Sequence, residues 1–111
     1  MNKNAMDYLC KALVHNEYYL TALNLKYCFL TFEQIIPISN GLRVTKNLVK
    51  LDLSNNGLKS SVCKFLLDSL TVNMSITEIN FHGNFLDNEF AVDLSHVLEN
   101  NVILYKVDIS Q

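Results

Sequence analysis

The chain is short of most residues that announce a particular chemistry. It has no tryptophan, one proline, three glycines and three cysteines. With only Gly41, Gly57 and Gly83, all read here as turn residues, it has no glycine-rich loop to cradle a phosphate. An odd number of cysteines without close spacing (Cys10, Cys28 and Cys63) is not a disulfide framework. Long apolar runs are missing too. Stretches such as Ile35-Ile36-Pro37-Ile38 are too short to cross a bilayer. The first seven residues, Met1 to Asp7, lack the apolar centre of a signal peptide. Neither charge sign dominates: nine basic residues face eleven acidic ones, net −2, which gives no electrostatic case for nucleic acid or an anionic membrane. These absences predict a cytoplasmic protein. In that compartment the acceptor triplet Asn73-Met74-Ser75 is a chance match.

What is present is apolar residues in a strict order. Half of the 111 residues are hydrophobic, enough for the core of one domain. The stretch Leu48-Val-Lys-Leu-Asp-Leu-Ser-Asn-Asn-Gly-Leu58 reads L-x-x-L-x-L-x-x-N-x-L. Leu20, Leu23, Leu25, Cys28 and Leu30 fall at the same offsets, as do Ile76, Ile79, Phe81, Asn84 and Leu86. A further copy opens at Leu104 with Val107 and Ile109, and successive starts differ by 28. A unit of this size cannot bury its apolar face alone, so units must stack.

The chain resembles leucine-rich repeat proteins, and the period with its helical second half resembles the ribonuclease-inhibitor-like subfamily. The resemblance implies an α/β solenoid with a parallel inner sheet of about four strands and outer helices. It divides residues 1–111 into a helical half-repeat 5–19, repeats 20–47, 48–75 and 76–103, and a partial repeat 104–111. A polar capping unit is missing after Gln111, so the chain reads as a segment of a longer array. Its last strand presents an open edge through which copies could self-associate. The resemblance also assigns Cys28, Asn56 and Asn84 to the structural ladder that serves backbone groups as the chain leaves the sheet.

Taken in order, residues 1–4 are expected to fray, and Ala5 to about His15 to form a helix. The loop from Asn16 to Tyr19 carries one extra residue, making that unit's spacing nearer 29. Between Thr31 and Leu42, Pro37 and Gly41 predict a helix that starts late or breaks. A third helix is expected over Ser61–Thr71, capped by Ser60 or Ser61, with Val62, Cys63, Phe65, Leu66 and Leu70 inward. A fourth is expected over Glu89–Glu99, capped by Asp87 or Asn88, with Phe90, Leu94, Val97 and Leu98 inward.

Candidate chemistry is sparse. His15, His82 and His96 fall in different parts of the unit and do not converge with cysteines or carboxylates at metal-ligand spacing. No metal and no cofactor is expected. A thiol-dependent enzyme using Cys28 or Cys63 is the weaker alternative, since Cys63 falls on the apolar stripe of its helix and across the core from His82 in the repeat, with no base in reach. The sheet face carries more information. One outward row reads Ala22, Lys50, Glu78, Lys106; the next Asn24, Asp52, Asn80, Asp108; a third Lys26, Ser54, His82, Ser110. Equivalent positions should stand about 4.8 Å apart. Candidate partner-binding residues are Tyr27, Lys50, Asp52, Glu78, Asn80, His82, Tyr105 and Lys106. The reading is a non-enzymatic scaffold that binds a partner protein through its concave face. The alternative is a structural spacer within a larger cytoskeletal, ciliary, GTPase-regulating or innate immune regulator.

Overall fold

The computed structural model describes residues 1–15 and 19–111. Helix and strand alternate throughout: α1 (Lys3–Val14), β1 (Ala22–Asn24), α2 (Phe32–Val44), β2 (Lys50–Asp52), α3 (Ser60–Val72), β3 (Glu78–Asn80), α4 (Asn88–Asn100) and β4 (Lys106–Asp108). The strands form one parallel sheet in the order β1-β2-β3-β4. Ala22 pairs with Lys50, Lys50 with Glu78, and Glu78 with Lys106, so the sequence period is the register of the sheet. The N-caps Asn2, Thr31, Lys59 and Asp87 carry the same period, with the first interval one residue longer. The rest of the expected loop at Asn16 lies outside the described residues.

Alternation of side chains explains the layers. Leu51 and Ile79 point inward from the middle strands and are buried, while Leu23 and Val107 on the outer strands are half-buried. Helix residues three and four apart meet them: Met6, Leu9 and Leu13 from α1, Ile35, Ile38 and Leu42 from α2, Cys63, Leu66 and Leu70 from α3, and Phe90, Leu94 and Val97 from α4. Phe81 and Phe90 join β3 to α4 edge to face, with centroids 5.1 Å apart.

Backbone groups at the strand ends are met by asparagine. Asn56 Oδ1 accepts from Cys28 N at 3.0 Å and Leu30 N at 3.3 Å. Its Nδ2 donates to Leu25 O, Leu53 O and Ser54 O at 2.9–3.1 Å. Asn84 serves Asn56 N, Leu58 N, Leu53 O and Phe81 O in the same way. Each ladder amide therefore ties its own unit to the preceding one. Cys28 is served by Asn56, and its thiol needs only to reach Lys26 O at 3.6 Å.

A second ladder runs along the opposite rim, and sequence reasoning missed it. Asn73 donates to Leu42 O and accepts from Ser75 N and Ile76 N. Asn101 donates to Leu70 O and Asn73 O and accepts from Ile103 N and Leu104 N. Both are buried. The spacing of 28 between them was the available signal. Asn73 of the acceptor triplet is thus an interior structural residue.

Several local expectations are overturned. Helix α2 neither starts late nor breaks: it runs through Pro37 from Phe32 to Val44. Gln34 Oε1 accepts the Thr31 N–H and secures its start. An interior proline costs about 3 kcal/mol. Ile35, Ile38 and Leu42, all at 0% exposure, each contribute roughly 1.5–3 kcal/mol. Burial therefore wins. Gly41 is no turn residue; it is buried within α2, where a Cβ would lie 2.8 Å from Leu13 Cδ1, so glycine lets α1 pack closely. Met1 is not frayed: its carbonyl accepts from Gln34 Nε2 at 2.6 Å, and Asn2 caps α1. Ser60 and Ser61 do not cap α3; Ser60 Oγ instead accepts the Asp87 N–H of the next unit. Phe65 is exposed, and so is Leu98, because α4 has a helical neighbour on one flank only.

Two stability tests follow from this architecture. Asn56→Ala strands two amides and three carbonyls, at about 1–3 kcal/mol for each group left buried and unpaired. We expect loss of a cooperative thermal transition; a melt within a few degrees of wild type would contradict the ladder's role. Phe29 holds a left-handed φ of 52°. Phe29→Gly should raise stability by roughly 0.5–1 kcal/mol, the strain released less glycine's greater chain entropy. Chemical denaturation checks it.

Candidate functional site: the concave sheet face

The outward side chains of the four strands line a trough of about 370 Å³. Lys50, Asp52, Glu78, Asn80 and Lys106 of the candidate set line it together, alongside Ala22, Asn24 and Asp108. Tyr27, His82 and Tyr105 lie outside its lining. In the first row Lys50 Nζ stands 3.3 Å from Glu78 Oε2, and the Tyr105 hydroxyl donates to Glu78 Oε1 at 3.3 Å. Glu78 is thereby engaged at both oxygens. Such an exposed pair contributes only about 0–1 kcal/mol, so its weight lies in orienting charge. Lys106 makes no ion pair among the described residues.

The second row does local work. Asn24, Asp52, Asn80 and Asp108 each accept, through Oδ1, the backbone N–H two residues on, at 2.8–2.9 Å. These Asx turns bend all four strands off the sheet alike. Ser54 and Ser110 add hydroxyl bonds to Asp52 and Asp108, at 2.6 and 2.7 Å. The Ser110 hydroxyl, then its N–H, holds the Asp108 carboxyl below its ordinary range. The third row is less open than expected, because Ser54 is buried. His82 Nδ1 lies 2.6 Å from Ser110 Oγ. Since that hydroxyl donates to Asp108, Nδ1 carries the proton and donates. Tyr27 sits on the turn after β1 with φ 55°, exposed, its ring 5.4 Å from Lys26 Nζ.

The remaining chemistry is dispersed. Burial pushes the Cys63 thiol up to about 12. Burial first, then the Asp7 charge, raises Cys10. His15, the C-cap of α1, and His96 on α4 are both exposed. Among the described residues, no group of three or more His, Cys, Asp or Glu could hold a metal ion, and no helix is long and apolar enough to cross a membrane.

Parallel strands in one register, helices on one side and an asparagine ladder at the turns define a repeat solenoid. Known proteins agree. Mouse (Mus musculus) NACHT, LRR and PYD domains-containing protein 4E is 35% identical over 92% of this chain, which spans 10% of that protein. Mouse ribonuclease inhibitor is 31% identical over 99% of this chain, which spans 24% of it. Among solved structures, leiomodin-1 actin-binding site 2 superposes with a TM-score of 0.87 at 18% identity, covering 96% of this chain and 62% of that one. The tropomodulin C-terminal domain of Caenorhabditis elegans gives 0.71 at 17% identity, covering 96% and 83%. No family model matches the chain. The chain has the leucine-rich repeat fold and is similar in sequence to proteins of the ribonuclease-inhibitor-like kind.

Thiol reactivity gives a direct check on the cysteines. At neutral pH a thiol reagent should label Cys10 and Cys28 in the folded chain, while Cys63 reacts only on unfolding, since thiolate is scarce below its raised pKa. Mass spectrometry reads the order. Rapid native labelling of Cys63 would refute its burial and reopen a thiol chemistry.

Proposed function

We propose that the chain is a non-enzymatic protein-interaction module that binds a partner protein through its concave sheet face. The observation that carries this reading is the trough itself, where four strands in register hold polar side chains already oriented by their own hydrogen bonds. Preorganised groups lose little side-chain entropy on binding. Lys106, in no ion pair among the described residues, and the second carboxylate oxygens of Asp52 and Asp108 are the groups it offers. Three free cysteines support a cytoplasmic setting. A spacer role within a longer array is the second reading. It is favoured by the small share of each relative that the chain spans and by the neutralisation of Lys50 by Glu78.

Site-specific photocrosslinking in cells separates the two. A photoreactive residue replacing Lys106 should give a discrete protein adduct, and one replacing Asp68 on the outer helix α3 should not. Glu78→Lys in the same chain should weaken the adduct about tenfold while the chain still melts cooperatively. Adducts of equal yield from both positions, or none from the sheet, would favour the spacer.

A further inference from the structure

The six phenylalanines are sorted by place. Phe81 and Phe90 are core residues, whereas Phe29, Phe32, Phe65 and Phe85 are exposed at 84%, 48%, 40% and 69%. All four lie on the rim where strands end and helices begin. Phe32 starts α2 and meets Phe65 in the second turn of α3 edge to face at 5.5 Å. Phe29, Gly57 and Phe85 hold the same place in three successive units. With no side chain at Gly57, the Phe85 ring reaches over it: a Cβ there would lie 3.8 Å from Phe85 Cε2. Phe29 keeps its exposed position at a left-handed φ, a conformation that aromatic residues rarely adopt. Exposed aromatics gathered on one surface mark an interaction site.

The charge on this rim indicates what it takes. Lys59 is bridged to Phe85 along the backbone and is exposed beside it on this rim. It also occupies the N-cap of α3 without a side-chain hydrogen bond, where α1 and α4 use Asn2 and Asp87. A cation there opposes the helix dipole, so the helix does not account for it. Neither neighbouring acid pairs with it: Asp87 caps α4, and Glu89 pairs with Lys64 at 3.8 Å. Lys59 makes no ion pair among the described residues, and Glu33 stands a unit away on α2.

We propose that this rim docks an acidic segment of a partner polypeptide that bears aromatic or leucine side chains. The apolar side chains would lie against Phe29 and Phe85, with a carboxylate at Lys59. The surface is separate from the concave face, so the two readings can fail independently.

Fluorescence anisotropy of the full chain with a labelled dodecapeptide, Asp-Phe-Glu-Leu repeated, tests it, against a control in which lysine replaces every acid. We expect saturable binding of the acidic peptide alone. Lys59→Glu and the pair Phe29→Gly with Phe85→Ser should each weaken it about tenfold or more, whereas Glu78→Lys on the concave face should not. All three sites are exposed, and Phe29→Gly relieves strain, so a folded melt will accompany the loss. Absence of saturable binding, equal binding of the lysine control, or indifference to the rim variants would overturn the proposal. So would a dimer by light scattering that Phe85→Ser abolishes, since the rim would then serve a second copy.

Discussion

A parallel strand three residues long leaves more backbone groups at its ends than it pairs within. Everything else in this molecule depends on meeting that demand. Asn56 and Asn84 do so at one rim, and Asn73 with Asn101 at the other. Each amide offers one acceptor and two donor hydrogens, enough to reach its own unit and the one before. A neutral amide left buried and unpaired costs about 1–3 kcal/mol, so the ladders hold the units at a fixed pitch. The hydrophobic period then has no freedom to slip, because a one-residue shift would unpair both rims together.

The same economy shapes the concave face. Most of its polar side chains serve the fold before they can serve a partner. Asn24, Asp52, Asn80 and Asp108 give one oxygen each to a turn, and Glu78 gives both to Lys50 and Tyr105. What is left for recognition is a smaller set, held in fixed directions. The rim beyond the strands repeats its own turn geometry: Tyr27 and Phe29 take the left-handed backbone that Asn55 and Gly57 take one unit on, so the turn sets the conformation and leaves both rings exposed.

Much was legible in the residues because the signal repeats. Leu51 and Ile79 are inward for the same reason in each unit, and the ladder at Asn56 and Asn84 follows from the motif. The second ladder was equally periodic, but asparagine after a helix also reads as an ordinary turn residue, so Asn73 and Asn101 passed unnoticed. Pro37 and Gly41 misled because their local cost was read without the burial on either side. The first two outward rows match the strand register, while the third includes buried Ser54. Their use in Asx turns was not, since it depends on where each strand bends.

By itself the sequence determined the period, the alternation of strand and helix, the inward leucines and the side of the sheet left to solvent. These follow from chain-local geometry, because spacing of 2 and of about 3.6 residues needs no knowledge of neighbours. Only the tertiary structure decided that α2 continues through Pro37, that Gly41 makes room for Leu13, that Ser60 serves the next unit and that the Phe85 ring reaches over Gly57. Each of those rests on a contact between units about 28 residues apart, where burial and close approach outweigh local propensity.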